Sequence, residues 1–154
     1  HLLNLRKMNT TVVKGKLRNF LSGIITLMIL FSFNSCATSA KFLTSPVVPA
    51  ARGEVKVKQD NNKNYVIDVS LTDLAEVTRL EPSKHTYIVW METDQELTKN
   101  LGQLNSSKGF MSKQLKGSLK TVTPFKPIKI FITAEDDPTI QYPGTQVILS
   151  TNKF

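Results

Sequence analysis

Cys36 is the only thiol in 154 residues, and it closes an uncharged apolar run, residues 20–33, that follows Lys14, Lys16 and Arg18. A basic segment, a short apolar segment and small residues at a cleavage point make a secretory signal, and this run is short of the ~20 apolar residues a spanning helix needs. The chemistry in view is acylation of Cys36 after export; the alternative is an uncleaved anchor helix with a spare thiol. Few other groups invite chemistry. His85 is the only histidine after this segment, so a metal there would need carboxylate partners. Glu135-Asp136-Asp137 could take a hard cation, but the spacing lacks the alternating ligands of a calcium loop and reads as a solvated turn. No Gly-x-Ser-x-Gly elbow, P-loop or His-Glu-x-x-His motif is present, so the sequence predicts no catalytic residue, no cofactor and no metal. The sequon Asn105-Ser106-Ser107 reads as a chance match.

Phe33-Asn34-Ser35-Cys36 resembles the relaxed lipobox of Bacteroidetes-type lipoproteins, in which a small residue precedes the modified cysteine. Asn34 departs from the stricter form, which prefers a small or aliphatic residue there. The resemblance implies a diacylated Cys36 as the mature N-terminus, anchored to a membrane without spanning it. Ala37-Thr38-Ser39-Ala40-Lys41 carries no acid next to the cysteine, which points to an outer-membrane anchor facing the periplasm. Residues 1–35 would then be upstream residues and signal.

Cleavage there changes the charge argument. The chain carries a net +8, yet Arg6, Lys7, Lys14, Lys16 and Arg18 precede Cys36 and all 12 acids follow it, which leaves net +3 on the 119 residues from Cys36 onward. Only Arg52 and Arg79 remain as arginines, and no Arg-aromatic pattern for nucleic acid survives. One asymmetry persists: between Glu96 and Glu135 there is no acid, while Lys99, Lys108, Lys113, Lys116, Lys120, Lys126 and Lys129 fall in that span. The bland account is lysine placed on edge strands to prevent mispairing. The sharper one is a positive flank, with Lys108, Lys113, Lys116 and Lys120 as contacts for anionic lipid, polysaccharide or an acidic partner.

The elements that would position these groups are strands. Residues 36–53 are small, Pro-containing and nearly uncharged, and read as a lipidated N-terminus and flexible tether. From Glu54 the period is two: Val55 and Val57, then an Asp60-Asn61-Asn62-Lys63 turn, then Tyr65, Ile67, Val69 and Leu71. Tyr87-Ile88-Val89-Trp90-Met91 is continuously apolar, as a central strand covered on both faces should be, and Trp90 is expected in the core rather than as a ligand platform. Residues 100–104 and 109–115 are shorter candidates around a turn at 105–108. Ile128, Ile130 and Ile132 form another strand, and residues 146–150 follow the Pro143-Gly144 turn. A weak helix signal at 72–77 amounts to one turn at most. About seven strands over residues 54–154 predict an all-β, immunoglobulin-like β-sandwich.

Tyr87-Ile88-Val89-Trp90-Met91, Leu101-Gly102-Gln103-Leu104, Phe131-Ile132-Thr133-Ala134-Glu135 and Pro143-Gly144-Thr145-Gln146-Val147-Ile148-Leu149-Ser150 resemble, in order, the extracytoplasmic C-terminal domain of anti-sigma-K factors. The resemblance covers roughly residues 54–151 and implies an immunoglobulin-like sandwich outside a membrane, engaged in protein contact. The family also carries a cytoplasmic sigma-binding domain and a spanning helix, for which the 19 residues before Phe20 leave no room. The expectation is therefore a non-enzymatic envelope lipoprotein whose sandwich binds an envelope protein, with a sigma factor an unexpected partner. The alternative is a structural protein holding anionic lipid or polysaccharide on its lysine flank.

Overall fold

The computed structural model describes residues 37–108 and 114–154, and nine strands occur among them. They are β1 (Ala37–Lys41), β2 (Arg52–Gln59), β3 (Tyr65–Leu74), β4 (Thr86–Thr93), β5 (Thr98–Gln103), β6 (Asn105–Lys108), β7 (Leu115–Thr123), β8 (Pro127–Glu135) and β9 (Val147–Ser150). Every pairing is antiparallel: one sheet has the order β1-β2-β3-β7-β6, the other β5-β4-β8-β9. The described residues form an all-β sandwich. Alternation explains the core directly. Val55, Val57, Ile67, Val69 and Leu71 of the first sheet are buried against Val89, Met91, Ile130, Ile132 and Ile148 of the second. Each such side chain contributes about 1.5–3 kcal/mol relative to leaving it in water.

β4 is central and buried on both sides, as its unbroken apolar run predicts. Tyr87, Val89 and Met91 face the other sheet, while Ile88 and Trp90 join Phe131 in a second cluster on the outer side, against which Ile140 packs. The connection 136–146 is held over that cluster by Asn100, whose Nδ2 donates to the carbonyls of Pro138 and Ile140 at 3.1 and 2.9 Å. Asn100 Oδ1 accepts from Gly102 N–H at 2.8 Å, where the β4–β5 register shifts and Gly102 takes a φ of +126°. A side chain would strain that conformation, so the Leu-Gly pair in β5 is a bulge device.

Four expectations need correction. Residues 37–53 are not a loose tether: β1 pairs along β2, Phe42 bridges to Thr151, and Ser45, Val48 and Ala51 are buried. β1 is small and neutral, so it shows no apolar period; its order comes from the ladder offered by β2 and from the apolar residues that follow it. Second, residues 105–108 are an edge strand rather than a turn, paired with β7. Asn and Ser have weak strand propensity and all four are exposed, so only the partner's backbone specifies them. Third, β7 runs through Leu115–Thr123, a segment the apolar pattern misses because its inward positions include Gly117, Thr121 and Thr123. Gly117 is required there: a Cβ would lie 2.4 Å from Leu104 Cδ2 and 2.8 Å from Leu74 Cδ1. Fourth, Thr72 belongs to β3, and among the described residues the single helical turn is 3₁₀, at Val77–Arg79. Of the strand expected at 109–115, residues 109–113 lie outside the described residues.

Candidate functional site

The outward phase of the five-stranded sheet gathers Lys41, Arg52, Lys56, Lys58, Lys116 and Lys120. In β2 the inward Val55 and Val57 force Arg52, Glu54, Lys56 and Lys58 to the opposite side; in β7 the same phase presents Lys116, Ser118, Lys120 and Val122. Register then fixes the rows. One reads Ser39, Lys56, Asp68, Lys120 across β1, β2, β3 and β7, and the next reads Lys41, Glu54, Ser70, Ser118, Asn105 out to β6. Directly opposed side chains in such rows stand ~5 Å apart. Glu54 and Asp68 are the acids of this surface. Lys56 Nζ lies 2.8 Å from Glu54 Oε1, and this contact holds the Glu54 carboxyl below its ordinary value of 4.5 and the Lys56 ammonium above 10.5. Asp68 stands between Lys56 and Lys120, one carboxylate for two ammonium groups. Ser39, Ser70, Thr72, Ser107 and Ser118 share the outward positions with Ala37, Val66, Asn105 and Val122, so the face offers cations set among hydroxyls and a few apolar side chains.

The predicted contact residues divide. Lys116 and Lys120 lie on this face in β7; β6 covers β7 over Leu115–Ser118, so protection of a sheet edge does not account for Lys116, whereas Lys120 lies beyond that pairing. Lys108 ends β6 and forms an ion pair with Glu76, which also receives Arg79 Nε at 3.2 Å. Lys108 is the main cause of a Glu76 carboxyl held below its ordinary value. Lys113 and Cys36 lie outside the described residues. Lys99 stands over the Phe125 ring at 4.4 Å, and Lys129 pairs with Glu92 at 2.9 Å, so neither belongs to the face. Sequence reasoning missed Lys41, Arg52, Lys56 and Lys58, because it counted charge along the chain. The signal that finds them is strand phase: the Val55-Lys56-Val57-Lys58 alternation puts both lysines on one side.

The other chemistry-bearing residues are separately engaged. The three consecutive carboxylates do not converge with His85. Asp136 accepts from Lys84 Nζ at 2.7 Å and stands 3.4 Å from His85 Nδ1. Asp137 accepts from the Thr139 amide and hydroxyl at 2.7 Å, which holds its carboxyl below the ordinary value. Glu135 is buried, and its Oε1 accepts the Gly144 N–H at 2.7 Å, so it pins the connection over Trp90. Among the described residues no cluster of three metal-ligating side chains occurs. Trp90 is fully buried and donates from Nε1 to Thr133 Oγ1 at 2.8 Å. Tyr87 donates its hydroxyl to the Ala75 carbonyl at 2.9 Å, and burial raises its pKa to about 12. A cavity of about 320 Å³ adjoins the Glu76–Lys108 pair, lined also by Tyr87, Gln103 and Leu104. Asn105 of the sequon is exposed at the start of β6. Compared with known proteins, the chain matches no family model, no curated protein and no solved structure.

Proposed function

We propose that this chain is a non-enzymatic envelope lipoprotein, anchored through Cys36, whose immunoglobulin-like sandwich is a binding module for an anionic envelope component. The observation that carries this reading is the outward face of the five-stranded sheet, where Lys41, Arg52, Lys56, Lys58, Lys116 and Lys120 meet Glu54 and Asp68 on a flat surface of small hydroxyl side chains. Such a surface suits a repeating polyanion: cations supply attraction, and serine and threonine hydroxyls pair with sugar hydroxyls or acidic groups. The carboxylates that could do acid–base work are held by Lys84, Gly144 and Thr139, which favours a binding role over a catalytic one. The resemblance to the outer domain of anti-sigma-K factors supports the same class, a sandwich that makes contacts outside a membrane.

The test is titration of the purified protein with an acidic polysaccharide at two salt concentrations, beside the Lys116→Gln/Lys120→Gln variant. Two basic side chains at about 1 kcal/mol each predict roughly a 30-fold loss of affinity, with high salt weakening the unmodified protein in the same sense. Glutamine is chosen because a carboxylate at position 120 would oppose Asp68 and disturb folding. Binding that ignores salt and both substitutions rejects the reading. A stoichiometric protein captured by crosslinking in the envelope, without polysaccharide affinity, replaces it with a protein-interaction module.

A further inference from the structure

The cavity of about 320 Å³ beside Glu76 and Lys108 opens where the two sheets part, and the strand register shows why it is left unfilled. β5 pairs with β4 only as far as Gln103 opposite Ile88. The chain then crosses through Leu104, whose N–H donates to the Tyr87 carbonyl at 2.9 Å, and joins the other sheet as β6. A chain that switches sheets makes a corner in a sandwich. Directly opposed residues share a face, so Ser106 lies on the inward side with Gly117, and Lys108 with Leu115. Leu104 packs against Gly117, but Ser106 is too short and Lys108 too polar to close the corner beyond it.

The cavity has an apolar floor and a charged mouth. Tyr87, Leu104 and Leu115 are its buried lining, and the Tyr87 ring is fixed by the 2.9 Å bond from its hydroxyl to the Ala75 carbonyl. Gln103 and Ser106 add an amide and a hydroxyl to the wall. At the more exposed mouth, Glu76 receives Lys108 and Arg79, one carboxylate for two cations. An ammonium has three N–H donors and a guanidinium five, so most of theirs remain for a further acceptor. An inward lysine on an edge strand also deters pairing with other chains. That device works by the cost of burying an unpaired charge, and Glu76 meets this one, so deterrence does not account for the pair. The volume is near the low end of the ~300–1,000 Å³ range of ligand clefts, which sets a small occupant.

We infer that this corner binds a small organic carboxylate with an apolar body, the carboxylate drawn to Lys108 and Arg79 and the body lying over Tyr87, Leu104 and Leu115. A second carboxylate brings the mouth to two cations and two anions, a balance that a neutral or cationic ligand does not give. Covering the apolar floor supplies the rest of the attraction. A free acid and the apolar C-terminal residue of a polypeptide present this same chemistry. The site is on the inward side of β6, separate from the outward lysine face.

The probe is N-acetylphenylalanine, titrated into the purified full chain and followed by amide chemical shifts. Saturable shifts at Val77, Leu104 and Ser106 are expected, with Asn62 in the β2–β3 turn unmoved. N-acetylphenylalaninamide, which lacks the charge, should bind several-fold more weakly. Lys108→Gln should weaken the acid several-fold, and Glu76→Gln should tighten it by removing the competing carboxylate; a pair that merely shaped the corner would lose affinity in both variants. Ser106→Leu, which adds an apolar side chain to the cavity wall, should abolish binding, with unchanged Trp90 emission as the check on folding in each variant. Absence of shifts at the three lining residues overturns the site. Equal affinity for acid and amide, or weakening by Glu76→Gln, overturns the carboxylate assignment. A peptide ending in a free phenylalanine that binds more tightly than N-acetylphenylalanine identifies the source as a chain end, and equal affinity identifies it as a free acid.

Discussion

Thr133→Val removes one hydroxyl from a hydrogen bond between two buried side chains. Trp90 and Thr133 are both fully buried, and the 2.8 Å bond between them is the contact the structure provides for the indole N–H. Valine keeps the branched shape but leaves that donor without an acceptor in a water-excluded site, at a cost of about 1–3 kcal/mol. Burying a methyl in place of the hydroxyl returns something under about 1 kcal/mol. The expected net loss is about 1–2 kcal/mol, or roughly 5 °C in Tm for a domain of this size. Urea denaturation followed by tryptophan emission measures it at the site itself, since Trp90 is the only tryptophan. The same substitution in a Trp90→Phe background, followed by circular dichroism because that background has no tryptophan, should be neutral or stabilising, since the Thr133 hydroxyl then has no indole to serve. A Thr133→Val protein as stable as the parent, or equal costs in both backgrounds, refutes the assignment of this bond as a stabilising one.

Two further outcomes follow from named contacts. Gly144→Ala places a Cβ 2.7 Å from Glu135 Oε2, against a carboxylate already holding the residue 144 amide, so the connection over Trp90 must shift. A loss of about 1–3 kcal/mol in urea denaturation and a red-shifted Trp90 emission are expected; an unchanged spectrum and midpoint would show that the connection is not pinned there. Tyr87 gives a pH dependence at the alkaline end. Its folded pKa of about 12 lies above the ordinary 10.0, so folding favours the neutral phenol; that contribution is fully present below pH 10 and is lost as pH rises toward 12. Absorbance titration should show a late phenolate step that Tyr87→Phe abolishes, and a Tyr87→Phe trace that keeps the late step assigns it to another tyrosine.

What the sequence made legible was whatever burial writes as a period. β2, β3, β4 and β8 were evident because Val55, Ile67, Val89, Ile130 and their neighbours repeat every second residue against a core. β1 and β6 were invisible for the converse reason: Ala37-Thr38-Ser39-Ala40 and Asn105-Ser106-Ser107 bury almost nothing, and a partner's backbone orders them. β7 fell between, since Gly117 is inward yet adds no hydrophobic signal; its small size matters only once Leu74 and Leu104 are known to press on it. Lys116 and Lys120 were found as candidates from linear charge, whereas Lys56 and Lys58, their neighbours in space, needed the register to be seen.

A sheet face can be basic merely to stay in water, and the rows bear on that alternative. Solvation alone is served by serine and threonine, which already fill much of this surface, and by opposite charges paired across strands at about 0.2–1 kcal/mol each. The β2–β3–β7 row uses that device only in part: Asp68 lies between Lys56 and Lys120 and can balance one of them. Lys58 faces Val66 and then Val122, with no acid in the row, and Lys116 faces Ser107 on one side and the Thr72–Asp73 bulge on the other. Lys58 and Lys116 thus lie where β2 and β7 have a partner on both sides, so edge protection does not account for them, while Lys41 on β1 and Lys120 beyond the β6 pairing lie at the sheet's edges. On the proposed reading these cations attract a polyanion outside the molecule. Glu54 and Asp68 lie on the face itself, so a negatively charged polymer along the sheet meets them among Lys41, Arg52, Lys56, Lys58, Lys116 and Lys120, and the proposed binding rests on the excess of cations.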